Sequence, residues 1–421
     1  MHARRVAVLY ILLKGVSSLF GAAVYTVELI YQAQRVGLNP FQLVLAGTVH
    51  QCVIFVCQAP TGALADMYSR RWAVVIGLLL IGLGFLIEGA LPTFAAVLIA
   101  QAVGGLGASL QDGADAAWIA DELGMEQVGS LYLRATQIGW FCTLPGIAFA
   151  AGLGSVNLNL PLLVGAGGFL ALGVLLAVLM PERRFIPTSG EKRTSWQHMQ
   201  QTLGEGFRLI RVNPVLVSIL GISAFSAMSG EGFGRLWQYH LLHTFTFPTL
   251  GHLAPIVWFG MMEIGIAFTN IGGIEIAHRC ITLTNQRSVA WGLCITQGVT
   301  LLGIGCFALT GQFALALASL WLITTASGSR DPLTQTWINQ QTSSSVRATI
   351  LSFNGQTIAL AAMGGGLLIG AIATALTTRP ALVLAGLLLL PAFVLYAYTI
   401  RGKLPSFSAS THEAKDSTVS L

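Results

Sequence analysis

The chain has 421 residues, 54% of them hydrophobic and only 9% charged, with a formal net charge of +5. Soluble domains carry about 25% charged residues, so a water-soluble fold is excluded and the bilayer is the expected solvent. The basic residues lie between apolar runs rather than in one patch, which excludes a nucleic-acid surface.

Twelve apolar windows, each near the roughly 20 residues that cross a bilayer, predict helices near 6–33, 41–65, 72–91, 94–121, 128–152, 160–180, 214–241, 252–276, 288–309, 313–339, 347–376 and 381–400. The start, Met1-His-Ala-Arg4-Arg5 before an apolar run, imitates a signal peptide. The run continues to about Tyr31 and contains Lys14 and Glu28, so it reads as the first span. Between the second and third spans stands the polar turn Gly62-Ala-Leu-Ala-Asp66-Met-Tyr-Ser-Arg70-Arg71. Further on, Asp112-Gly-Ala-Asp-Ala-Ala-Trp118-Ile119 in the fourth span parallels Asp331-Pro-Leu-Thr-Gln-Thr-Trp337-Ile338 in the tenth. Each is preceded by small residues, Gly104–Ser109 and Ala326–Ser329. Repeats in corresponding helices are how alternating-access transporters are built.

The expected organisation is therefore an N-terminal six-helix bundle (1–180), a loop (181–213), a C-terminal six-helix bundle (214–400) and a disordered polar tail (401–421). In the loop, Trp196, Met199, Leu203, Phe207 and Ile210 recur every three or four residues. That spacing predicts an amphipathic helix, lying either in the interface or on the protein's own face.

Charge bias sets orientation. With the N-terminus inside, one side holds Arg4, Arg5, Arg70, Arg71, Arg134, Arg183, Arg184, Lys192, Arg193, Arg208, Arg211, Arg279, Arg287, Arg347, Arg401, Lys403 and Lys415. The other holds Arg35 and Arg379. Both termini are expected to be cytoplasmic.

The turn at 62–71 resembles the loop signature of the major facilitator superfamily, Gly-x-Leu-x-Asp-x-x-Gly-Arg-Arg/Lys. Gly62, Leu64, Asp66, Arg70 and Arg71 match, and Ser69 stands where the family has Gly. The resemblance implies two six-helix bundles around a central cavity, in a bacterial cytoplasmic membrane. It also implies that Asp66 engages neighbouring helix ends as part of a conformational switch. An arginine of proton-coupled drug antiporters is replaced by Gln101, four residues before Gly105-Leu-Gly107. An exporter-type glycine-proline run survives only as Pro145-Gly146, which can still kink a helix.

Intramembrane charges cost about 2.5–3.5 kcal/mol on insertion scales and need a reason to be present. Most fall on four spans: Lys14 and Glu28 on the first, Asp112 and Asp115 on the fourth, Glu231 and Arg235 on the seventh, Arg330 and Asp331 on the tenth. The resemblance implies that these four spans line the cavity. Depth places Lys14, Asp112, Asp115, Arg330 and Asp331 in a cytoplasmic gate, with Arg330 meeting Asp112 or Asp115. Glu28 and Arg235 would form an outer gate, and Glu231 and Arg235 can also pair locally. Fixed ion pairs that only stabilise the bundle are the alternative. Each layer has a spare carboxylate, and an unpaired carboxylate in low dielectric takes up a proton; Glu231 and Asp112 are the proton-coupling candidates. Glu88 and Glu263 are further acids to which the sequence assigns no role.

The net negative cavity favours cationic, zwitterionic or neutral substrates. Phe225, Trp237, Trp258 and Phe259 are candidates for its apolar and cation–π surface, or for lipid-facing and core positions. Gly364, Gly365, Gly366 and Gly370 are expected to permit close helix packing. His240 and His243, with His252, are interfacial histidines or, less simply, metal ligands.

The six cysteines, Cys52, Cys57, Cys142, Cys280, Cys294 and Cys306, are scattered through apolar runs. Neither a disulfide framework nor a metal site is expected from them. No phosphate-binding Gly-x-x-x-x-Gly-Lys-Ser/Thr loop occurs, and no segment is large enough to house an enzyme domain. The expected function is proton-coupled export of a small amphiphilic drug or metabolite, by a monomer with no cofactor. A proton-driven importer on the same fold, and a non-transporting sensor or assembly partner, are the alternatives.

Overall fold

The computed structural model describes residues 2–185, 214–248, 256–282, 285–341 and 344–400. The amphipathic segment around Trp196–Ile210, the tail and His252 lie outside the described residues.

Among the described residues there are fourteen α-helices and no strand. They are α1 (His2–Tyr31), α2 (Pro40–Met67), α3 (Arg70–Ala90), α4 (Phe94–Gln111), α5 (Ala114–Leu123), α6 (Met125–Val156) and α7 (Asn159–Leu179). After these come α8 (Pro214–Thr244), α9 (Ile256–Cys280), α10 (Gln286–Leu309), α11 (Phe313–Gln341), α12 (Ser344–Ala375), α13 (Thr378–Leu387) and α14 (Leu389–Ile400). With α4–α5 and α13–α14 each taken as one run, the helices make twelve spans. Ten of these runs are long and apolar enough to cross a membrane. The other two, α8 and α11, carry Glu231, Arg235, Arg330 and Asp331. A bilayer forces this helical solution, because only helices satisfy their backbone groups within one segment.

Polar residues at the helix ends stop and start the chain. Asn39 and Gln42 form a reciprocal capping box with Pro40 at the first position of α2, and the hydroxyls of Ser69 and Thr93 accept from Trp72 N and Ala96 N. Each cap is worth about 1 kcal/mol. The fourth span, expected as one helix over 94–121, is broken at Asp112 and Gly113, where Gly113 has φ +76°. Only glycine adopts that conformation without strain.

The chain forms two compact units, Met1–Lys192 with Trp237–Ile264, and Arg193–Leu236 with Gly265–Leu421. In the first, α1 packs on α6 and α7, and α3 packs on α4 and α7. Small residues make these approaches close: a Cβ on Gly107 would come within 2.6 Å of the Gly77 carbonyl. The run Gly104–Ser109 thus lets α4 lie against α3. Gly146 similarly allows α6 to meet the Leu19 carbonyl of α1. In the second unit, α10 packs on α11, α13 and α14. Its core includes Ile219, Leu293, Trp337, Ile338 and Tyr396. Of the expected packing glycines on α12, Gly365 faces Met228 of α8, whereas Gly364 faces open space.

Candidate functional site

The turn between α2 and α3 is a hub of charge-assisted hydrogen bonds, the stronger class of such bonds. Arg70 donates through Nε and Nη2 to Asp66 Oδ1 at 3.1 and 3.0 Å. Its Nη1 donates to Asp121 Oδ2 at 2.5 Å and to the Ala117 carbonyl at 3.1 Å, both on α5. Arg71 and Ser69 engage the segment after α7 instead. Glu182 Oε1 accepts from Arg71 N at 3.0 Å, and Glu182 Oε2 accepts from the Ser69 hydroxyl at 2.5 Å. Ser69, where the signature has glycine, therefore both caps α3 and holds Glu182. Gly62 has open space around it.

Beside this hub, the buried Glu122 carboxylate accepts from Arg183 N at 2.6 Å and Arg184 N at 3.0 Å. His2 Nε2 lies 2.7 Å from its other oxygen. Asp121, Glu122 and Glu182 were not singled out by sequence. They sit at the ends of apolar runs, where acids are ordinary.

Deeper along α1, Lys14 Nζ pairs with Asp115 and lies 5.6 Å from the centre of the Tyr10 ring. Asp115 is buried because the break at Gly113 starts α5 one residue before it. Tyr132 of α6 packs on Tyr10 at 5.8 Å and donates to the Ala116 carbonyl. Asp112, at the end of α4, is exposed and accepts from Gln58 Nε2 at 2.7 Å. Of the five residues expected in a cytoplasmic gate, the first unit thus joins Lys14 to Asp115 and leaves Asp112 on α2. In the second unit, Arg330 is half-buried, and only the helical backbone of Asp331 is described.

At the opposite end of the first unit, Glu28 is buried. It accepts from Gln101 Nε2 at 2.6 Å, with Gln32 Nε2 at 3.4 Å. On α8, Arg235 donates to Glu231 one turn earlier, at 3.0 Å. That i, i+4 pair is the local alternative read from sequence.

Trp237 and Phe259 are buried with ring centres 6.1 Å apart. Trp258 donates to the Pro248 carbonyl at 2.9 Å. Phe225 packs against the core of the second unit. His243 stacks on Tyr239 at 3.9 Å, and His240 Nδ1 lies 3.2 Å from the Thr244 hydroxyl. Among the described residues, no group of three or more His, Cys, Asp or Glu could hold a metal ion.

No curated protein matches the chain in sequence. Several solved structures share its fold. A nucleoside transporter, NupG, aligns at TM-score 0.73 with 14% identity, covering 93% of this chain and 98% of that one. A bacterial homologue of the human lysosomal transporter Spinster, inward-facing and unoccupied, gives 0.72 with 14% identity over 95% and 97%. The peptide transporter POT in complex with sulfate gives 0.69 with 15% identity over 94% of each chain. The family model of the Major Facilitator Superfamily matches residues 10–296. With twelve helical spans and the charged turn at 62–71, this match establishes that the chain belongs to the Major Facilitator Superfamily, a family of membrane transporters and not of enzymes.

Proposed function

We propose that the chain is a proton-coupled exporter of small amphiphilic compounds, working by alternating access in a bacterial inner membrane as a monomer with both termini cytoplasmic. The observation that carries this reading is the Lys14–Asp115 pair. A lysine and an aspartate inside an apolar bundle are costly unless matched. Their pairing between α1 and α5 supports a charge layer that can exchange partners. In the alternating cycle, residues 1–180 and 214–400 act as the two moving halves, joined by the 181–213 loop. Arg330 joins Asp112 or Asp115 when the inner side closes. Glu28 exchanges its amide donors for Arg235 when the outer side closes. Asp112, exposed and bonded to a neutral glutamine, and Glu231 are the proton-coupling carboxyl groups.

The test is reconstitution in liposomes with a pH-sensitive dye inside and an imposed proton gradient. Lipophilic cations and antibiotics form the first panel. Nucleosides and small peptides form the second, because structural relatives are named for transporting them. Substrate-dependent proton movement, lost in Glu231→Gln or Asp112→Asn, is expected. Unchanged coupling in both variants removes these two carboxyl groups from the mechanism. For the outer gate, the swap Glu28→Arg with Arg235→Glu is expected to outperform either single change.

A further inference from the structure

The second unit holds a cavity of about 360 Å³ between the end of α9, the first half of α10 and the middle of α11. Along α10 it runs from Ser288 to Val299, which at 1.5 Å per residue is about 16 Å. That is close to half of a bilayer's roughly 30 Å hydrocarbon core, the depth of one leaflet. Ile276, Trp291, Ile295 and Leu322 form its outer edge, and each is at least half exposed. The cavity therefore opens sideways, toward the lipid. Its inner wall is made of small residues. Ala277 and Ala326 leave the space, and Gly273 brings α9 up to the Thr325 carbonyl, with which a Cβ there would collide.

The hydroxyl groups on the wall are taken by backbone. Thr296 donates to the Leu293 carbonyl at 3.0 Å, Thr325 to that of Trp321 at 2.7 Å and Ser329 to that of Ala326 at 3.1 Å. At the mouth, the Ser288 hydroxyl accepts from Thr282 N at 2.9 Å. Beyond the mouth, a polar guest would lose its water and find no hydroxyl donor in exchange. A hydrocarbon chain loses nothing there.

The mouth has the opposite character. Arg287 is exposed and stands one turn before Trp291 on the same face of α10. Among the described residues its guanidinium forms no ion pair. Arg279, at the end of α9, is matched by Glu275 at 2.6 Å, so Arg287 gives the mouth its net positive charge. Trp291 takes the place of an interfacial tryptophan, one turn inward from that charge.

We propose that this cavity is a lateral site for an anionic phospholipid, with one acyl chain between α9, α10 and α11 and the phosphate on Arg287. Basic residues at the end of an apolar slot between membrane helices attract negative headgroups. The Arg287 stem can lie along the same stripe while its guanidinium stays at headgroup level. Ser329, on the wall, directly precedes Arg330, so a bound chain packs against the stretch of α11 that carries the intramembrane charges. This lipid site goes beyond the transport reading, because bound lipid is counted without any flux.

The full chain, purified in detergent, is titrated with phosphatidylglycerol or with phosphatidylcholine of the same acyl chains, and bound lipid is counted by native mass spectrometry. One phosphatidylglycerol is expected to bind several-fold more tightly than phosphatidylcholine. Arg287→Gln should reduce that preference about fivefold, the worth of one basic residue near an anionic surface, and Arg35→Gln in the first unit should leave it unchanged. Thr296→Trp, which fills the middle of the slot, should remove the tight site for both lipids. A second measurement needs no variant. Phosphatidylglycerol with a diazirine midway along one acyl chain should crosslink to the wild-type protein near Ile295 of α10 and Leu322 of α11, mapped by peptide mass spectrometry. Equal affinity for the two lipids, or crosslinks spread evenly over all spans, overturns the proposal. Displacement of the crosslink by the lipophilic cations of the transport panel would assign the slot to substrate and overturn it too. Failure of drug-driven proton flux would sink the export reading and leave this result untouched.

Discussion

The segments Asp112–Ile119 and Asp331–Ile338 share one spacing of Asp, Trp and Ile, and the structure treats their ends alike and their beginnings differently. All four of Trp118, Ile119, Trp337 and Ile338 are buried. Trp118 donates to the carbonyl of Pro181, just past α7 and the sixth span. Trp337 packs at 5.7 Å on Tyr396 of α14, in the twelfth span. Each tryptophan thus ties the fourth helix of its half to the sixth. At the aspartates the segments part. Asp112 ends α4, Gly113 turns left-handed and α5 begins anew. Asp331 and Pro332 lie inside the continuous helix α11. The repeat is kept where a large ring fills the core, and it diverges where the backbone either breaks or carries a proline.

The sharpest way to break this comparison is to remove the rings. Trp118→Ala and Trp337→Ala are each expected to cost about 3–5 kcal/mol, read as a fall in melting temperature of the purified protein. Tolerance of one but not the other would show that the two anchors are not equivalent. A smaller effect isolates what the break in the first segment achieves. Lys14→Met leaves Asp115, positioned by α5, without its cation, at an expected cost of about 1.5–3 kcal/mol. Adding Asp115→Asn should recover most of it in the same melting assay. The smallest effects address the backbone itself. Gly113→Ala should destabilise by about 1–2 kcal/mol, because it forces a side chain into the left-handed region. Pro332→Ala should stabilise α11 by restoring a helical hydrogen bond. Opposite signs in that pair would sharpen the contrast, and equal signs would erase it.

The spans were legible in sequence because the bilayer demands length and apolarity, and both can be counted. The third span, expected at 72–91, is Arg70–Ala90, and the local pair Glu231–Arg235 followed from helical spacing alone. The break at Gly113 was not legible, because a glycine in an apolar run reads equally as a packing residue. The buried cluster in which Glu28 and Glu88 share the amides of Gln32 and Gln101 escaped for a different reason. Its organising side chains are Gln32 and Gln101, whose uncharged amides carry none of the insertion cost that marks a charge in an apolar run. In sequence Gln101 reads only as the absence of an arginine, whereas its amide joins two helices to a third.

The clasp on the chain leaving α7 has a practical consequence for dissection. Glu182 is held by Ser69 and Arg71, and the amides of Arg183 and Arg184 by Glu122. A two-fragment expression experiment should therefore cut after Phe185. A cut before Pro181 would strip Trp118 of its acceptor, hand the clasp to the wrong fragment and leave the buried Glu122 without the amides of Arg183 and Arg184.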